Sequence, residues 1–350
     1  VRRPFRVRVD QALTVNPREG ESETTRFALY SLLAFYEGVF AKLVGSASAS
    51  LAVAAGECAA AARDAFEEAV ARRGEKLKKN PPAVPDDLGA PACVAETAAR
   101  VAAAGIARQV IEAFGIEVFD YLTGLGGVRC SGEAWGATSG RRAEVRAASE
   151  FLSLDPGADE SMREAVDQAR EAKDSLGGTF EVRALGLPPG LGSCASGPER
   201  LTARLGGALF SIPAIKAVEF GLGMGVAERR GSAVHDGIIP GEGGEAFARI
   251  TNRSGGLEGG MSTGEPLIVR AAMKPIPSIR RGMPTVDLHT GEAVEATYQR
   301  SDVTSVPACS VVGEAMVALI LAQAFLDKFG GDSMGEVRAA WEAHRSRLAD

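Results

Sequence analysis

The segment NPPAVPDDLGAPA, residues 80–92, constrains this chain more than any other feature. Its prolines withhold backbone donors and Gly89 loosens the chain, so neither a helix nor a sheet ladder is expected to run through it. The chain therefore divides into an N-terminal segment of residues 1–92 and a larger domain of residues 93–350. Before the break, FRVRV alternates like a strand, FALYSLLAFYEGVFAKLV is an apolar stretch, and Ala47 to Lys78 is alanine-rich with helical spacing. This first segment reads as helix-rich.

After the break the pattern changes repeatedly. ETAARVAAAGIARQVIEAFG carries apolar residues every three or four positions and stops at Gly115, which predicts a helix. IEVFDYL alternates as a strand, and Ser161 with Glu164 stands at capping-box spacing, predicting the start of a second helix. TFEVRALGL alternates again before the turn PPGLG, and LIVRAAMK is strand-like. ACSVVGEAMVALILAQAFLDKF predicts a helix closed by Gly330, with Ser333 and Glu336 opening a last, more polar one. The fold class is α+β.

Composition matters for partners. The chain sets 39 Lys+Arg against 45 Asp+Glu, a net charge of -6 with no long like-charge block, which argues against nucleic acid. Five cysteines (Cys58, Cys93, Cys130, Cys194 and Cys309) are scattered without a CxxC pair and suit a reducing, cytoplasmic setting. VRRPFRVRVDQ lacks the continuous apolar core of a signal peptide. VVGEAMVALILAQAFL contains Glu314 and is too short to cross a bilayer, so no membrane segment is expected. Only three histidines occur, His235, His289 and His344, which excludes any mechanism needing a histidine earlier in the chain.

The segment TNRSGGLEGGMSTGEP offers backbone amides without side-chain obstruction, as a loop approaching an anion or a flat ring requires, but also as a plain turn does. It fits neither GxGxxG after a strand nor a Walker A loop. Arg249, Arg253, Arg270, Lys274 and Arg300 surround it in sequence and are candidate phosphate or carboxylate ligands, with surface solvation the plainer alternative for each. Asp302 in QRSDVTSVP is either a turn or cap residue or a base. His235-Asp236 is a weak acid–base candidate, because adjacent side chains need not face each other.

DSLGGTFEVRALGLPPGLGS, SIPAIKAVEFGLG, RRGSAVHD, SGGLEGGMSTGEPLIVRAAMKPIPS and QRSDVTSVPACSVVGEAMVALILA, in this order, resemble the chorismate synthase family from about Cys93 to Leu348. The resemblance implies two antiparallel sheets enclosing a layer of helices, in a homotetramer. It also implies the 1,4-elimination of phosphate from 5-enolpyruvylshikimate 3-phosphate to give chorismate, with reduced FMN (FMNH2) as cofactor. By motif, Pro213, Ala214, Gly259, Lys274, Pro275, Ile276, Pro277, Ser278 and Arg300 resemble flavin-contacting positions, and Asp302 resembles the carboxylate that relays a proton. No metal is implied.

The front of the chain departs from the family pattern. Where the family carries Gly-Glu-Ser-His-Gly, the nearest echo is Gly20-Glu21-Ser22 followed by Glu23, and NPPAVPDD lacks the histidine of the family's Pro-Gly-His-Ala-Asp segment. The family's Ser-Ala-Arg-Glu-Thr appears as Cys93-Val94-Ala95-Glu96-Thr97. Two functions therefore stay open, a chorismate synthase and a catalytically silent, FMN-binding scaffold of that shape. The abrupt loss of resemblance before residue 93 also leaves open a disrupted or replaced reading frame.

Overall fold

A computed structural model of the chain describes residues 90–241, 247–277, 279–296 and 302–349. The strand and helices expected before residue 80 lie outside these residues. In chain order the elements are α1 (Ala90–Glu112), β1 (Glu117–Leu125), β2 (Val128–Arg129), α2 (Ala134–Ala137), α3 (Arg142–Ala148), α4 (Pro156–Glu171) and β3 (Gly178–Leu185). Then come α5 (Leu201–Phe210), β4 (Ile215–Phe220), β5 (Ile238–Pro240), β6 (Phe247–Arg249), β7 (Leu257–Glu258), β8 (Met261–Ser262) and β9 (Leu267–Met273). Last are β10 (Pro284–Val286), β11 (Ala293–Glu295), α6 (Val306–Phe329) and α7 (Met334–Ala349).

Five strands form one antiparallel sheet in the order β2-β1-β3-β9-β4. Strand alternation sends Val118, Leu122, Phe180, Val182, Ala184 and Val269 to one buried face. There α6 lies against β1 and β3, with α1 and α5 beside it. The remaining β5–β6, β7–β8 and β10–β11 pairs are two-stranded ribbons. The α+β class and the antiparallel sheets hold, with one five-stranded sheet backing the helices among the described residues.

Neighbours surround α6, which is why it is apolar on nearly every side. Because it begins at Val306, ahead of its apolar run, it is long and apolar enough to span a membrane, contrary to the expectation from the run alone. Of its most apolar stretch, 72% is buried inside the fold, as suits a central core helix. Gly313 lets it approach the sheet, since a Cβ there would overlap the Phe180 ring.

One polar cluster sits in this apolar layer. Asp120 of β1, 1% exposed, is paired with Arg146 at 2.6 Å, and Glu314 of α6 with Arg108 at 3.2 Å. Burial, reinforced by the Asp120 carboxylate, pushes Glu314 up to about 7 against the pull of Arg108 and Arg146. Asp120 Oδ2 is buried without a donor, which is the acceptor a protonated Glu314 needs.

The sheet's other face is cross-linked by charge. Tyr121 donates to Glu181, which also pairs with Arg183 at 2.6 Å and Arg270 at 3.3 Å. At α4 the sequence expectation fails: the helix starts at Pro156, upstream of Ser161, because Asp155 accepts the Gly157 amide at 3.1 Å and proline suits the first turn. At α7 it holds, with the Glu336 amide donating to Ser333 Oγ at 3.3 Å and Glu336 Oε2 accepting the Asp332 amide at 2.5 Å.

Candidate active site

Four segments distant in sequence meet at the Gly178/Met273 end of the sheet. The Gly178–Met273 and Ile215–Met273 pairs place the starts of β3 and β4 beside the end of β9. The ladder continues past the strand, with the Lys274 amide donating to the Ala214 carbonyl at 2.9 Å. Ser175 Oγ donates to the Ile276 carbonyl at 2.6 Å, and the Leu176 amide to the Val303 carbonyl at 2.8 Å, bringing the residue after Asp302 to the same end. Pro213, Ala214, Lys274, Pro275, Ile276, Pro277 and Asp302 are thus drawn together. Ser278 and Arg300 lie outside the described residues.

Two backbone features make the approach possible. A Cβ at Gly177 would stand 2.5 Å from the Met273 carbonyl oxygen and 2.9 Å from Pro275 Cδ, so only glycine lets the KPIP segment lie so close. Ala214 adopts φ +71°, a left-handed conformation that costs a side-chain-bearing residue about 1 kcal/mol or more. Strain of that kind persists where surrounding contacts over-determine it.

Two charged side chains stand exposed there among the described residues. Lys274 is exposed and carries no ion pair among the described residues, while Asp302 is exposed one residue before the Val303 anchor. Nearby, Arg281 pairs with Asp174 at 3.4 Å. An exposed ammonium, closely approached main chain and an exposed carboxylate can bind an anionic, planar group and exchange a proton beside it.

Gly259 sits elsewhere. It occupies the β7–β8 turn, whose Gly260 carbonyl accepts the Leu201 amide at 2.8 Å at the start of α5, whereas the end of α5 leads into Pro213. One helix of 10 residues, about 15 Å long, separates the two places. Its φ of +59° and the open space around it leave Gly259 accessible, but away from Lys274 within one chain.

The rest of the glycine segment is a built corner. Asp236 accepts from Thr251 Oγ1 at 2.5 Å, Ser254 Oγ at 2.6 Å, and the Arg253 and Ser254 amides at 2.8 and 2.9 Å. Burial alone would raise its pKa; these four donors outweigh it and hold the carboxyl at about 2. Asp236 is therefore a loop anchor rather than a partner of the exposed His235. Of the surrounding arginines, Arg249 pairs with Glu258 at 2.7 Å and Arg270 with Glu219 at 2.7 Å, so both serve the scaffold; Arg253 carries no ion pair among the described residues.

Sequence reasoning missed Ser175 and Gly177, whose signal was the double glycine of DSLGG just before a strand. It also missed Arg100, a buried arginine on α1 that reaches Ser211 beside the SIPA turn. No local pattern marks such a contact. No hydrogen bond ties any of the three histidines to Lys274–Pro277 or Asp302.

Comparison with known proteins covers the same part of the chain. Residues 90–326 match the family model for chorismate synthase, and residues 1–104 match that for the conserved oligomeric Golgi complex subunit 6, C-terminal. Chorismate synthase of Rubrobacter xylanophilus is 48% identical over 255 residues, 72% of this chain and 64% of that protein. That of Thermobifida fusca is 51% identical over 242 residues, 69% of this chain and 61% of its own length. A crystal structure of chorismate synthase superposes with a TM-score of 0.61 at 37% identity, covering 73% of this chain and 69% of the other. The chain spans less than two thirds of the length of the curated relatives it matches.

Proposed function

The chain belongs to the chorismate synthase family, and on that premise we propose that it eliminates phosphate from 5-enolpyruvylshikimate 3-phosphate to give chorismate with reduced FMN. The observation that carries the reading is the convergence of the SIPA turn, the KPIP segment and Asp302 at one end of the sheet, with no ion pair to Lys274 among the described residues. An anionic flavin fits this donor set: an unneutralised ammonium suits its phosphate, and main chain brought close by Gly177 suits a flat ring system. When bound, reduced FMN would supply electron density to the substrate as the phosphate departs, without net oxidation.

The chain's own residues have narrower tasks. Lys274 and the backbone of Pro213, Ala214 and Pro275 to Pro277 hold and orient the cofactor, and Asp302 holds the proton exchanged beside it. Ser278 and Arg300 complete this set by motif, and Gly259 joins it from the far end of α5 only in an assembly. A homotetramer supplies one, and apolar ribbon residues support it: Phe247 (75% exposed), Ile238, Val286 and Leu288 all face solvent in one chain. We place the protein in the cytoplasm, with residues 1–92 as a separate segment and without nucleic acid or membrane as partner.

A second reading is favoured by one observation: within residues 1–350 no histidine precedes His235, so these residues hold no counterpart of the Gly-Glu-Ser-His-Gly histidine to which the resemblance assigns protonation of the leaving phosphate. Acid catalysis is worth about 10²–10⁴ in rate, so a silent FMN-binding scaffold is the alternative. Anaerobic assay of phosphate and chorismate with chemically reduced FMN separates the two. Turnover abolished by Asp302→Ala, with FMN affinity retained, supports the enzyme; FMN binding without turnover supports the scaffold.

A further inference from the structure

Arg100 lies on α1, in the ETAAR segment, with 9% of its surface exposed. Its Nη1 donates to Ser211 Oγ at 2.8 Å and lies 3.9 Å from Met316 Sδ of α6. Withdrawing a guanidinium from water is costly and is offset only by well-made, charge-assisted hydrogen bonds. The position of Ser211 gives this bond its meaning.

Ser211 closes α5, and while accepting from Arg100 it donates to the Ala208 carbonyl at 2.6 Å. The last turn of α5 is thereby locked to α1. Three residues on, Ala214 holds its left-handed φ, and its carbonyl receives the Lys274 amide. Such a turn must be clamped on both sides to keep one conformation. The pairing of Ile215 with Met273 clamps it from the strand side. The Arg100–Ser211 bond clamps it from the helix side.

We propose that Arg100 is a positioning residue: through Ser211 it fixes the Ser211–Ala214 turn, and through the Ala214 carbonyl it sets where Lys274 stands. It touches neither cofactor nor substrate itself. The inference rests on the proposed flavin site only for its consequence in binding, since the clamp is a property of the protein alone. Lysine cannot replace it, because a compact ammonium on a shorter reach does not reproduce the planar donor aimed at Ser211 Oγ.

Amide hydrogen exchange on the full chain without ligand tests this, comparing the wild type with Arg100→Met, Ser211→Ala and the double variant. Exchange at the Lys274 amide is expected to rise about tenfold or more in each single variant, the factor carried by one charge-assisted hydrogen bond. Exchange within Gly178–Leu185 should stay unchanged, and the double variant should be no faster than Arg100→Met. An unchanged Lys274 amide, or a rise spread evenly over the sheet, overturns the proposal. If Arg100→Met does not fold, Ser211→Ala, which deletes only one oxygen, carries the same expectation. FMN affinity of the same proteins, read by quenching of flavin fluorescence, is a separate measurement. A wild type that binds no FMN removes the flavin reading while the exchange data still decide the role of Arg100; a wild type that binds, with both folded single variants binding equally well, removes the consequence claimed for Lys274.

Discussion

Replacing Glu314 by glutamine should flatten the pH dependence of stability and make the protein more stable at pH 8. The folded-state pKa of about 7 lies above the ordinary 4.5 of the unfolded chain, so the folded protein binds the extra proton between those values. Stability is then fully present below about pH 4.5 and falls as pH rises toward 7, with no further loss from this group above it. A shift of that size corresponds to about 3 kcal/mol, and the glutamate is buried enough (side chain 12% exposed) for most of it to survive solvent screening. Glutamine keeps the shape, donates to Asp120 Oδ2 and still accepts from Arg108, without a charge to bury. Urea unfolding of wild type and variant from pH 5 to pH 8 gives the difference between them, in which every other titrating group cancels. The variant should gain on the wild type by about 2–3 kcal/mol across that interval. A constant difference, or a variant that loses ground as pH rises, would refute a proton held by the buried Glu314.

Other outcomes follow from the same geometry. Gly313→Ala should cost about 1–3 kcal/mol in chemical denaturation, because the new methyl forces α6 off the Phe180 ring; a neutral result would mean that the interface yields freely. Asp236→Asn should destabilise the glycine corner by about 1–3 kcal/mol at pH 7. Because the wild-type carboxyl is held at about 2, that cost should shrink as pH falls from 3.8 toward 2, which acid titration of both proteins by circular dichroism can check. Lys274→Met should weaken FMN binding about tenfold or more while leaving the melting temperature unchanged, and equal affinity would remove Lys274 from the site. Ile238→Ser with Phe247→Ser should lower the assembled mass in sedimentation, since both residues are exposed in the single chain; an unchanged mass would place the subunit contacts elsewhere.

What the sequence disclosed depended on the range of the interaction. Helix α1, strands β1, β3 and β9, and α6 announce themselves by local periodicity, because each buries one face or all of its surface. The start of α4 was misread because two polar residues with the right spacing, Ser161 and Glu164, lie inside the helix, while the working cap is Asp155 before a proline. The candidate site was legible only as motifs. That KPIP, SIPA and Asp302 share one end of the sheet follows from strand register, and that Gly259 lies at the other follows from the direction of α5. Arg270 and Asp236 looked like ligands and a base, but their charges are consumed by partners far away in sequence, which no local pattern records.

The central position of α6 also sets the order in which the domain can be completed. Strands β1, β3 and β9 have all been synthesised by Met273, yet α6, which packs on β1 and β3, is finished only at Phe329. At a ribosomal pace of about 5–20 residues per second, that interval lasts roughly 3 to 11 seconds. During it, Phe180, Val182 and Val269 present a water-exposed apolar sheet to any neighbouring nascent chain. Helix α1, made earliest of the described elements, likewise waits for α6 as its main packing partner. Chains arrested between Met273 and Val306 are therefore expected to aggregate more readily than the finished chain, which pelleting of truncated translation products would check.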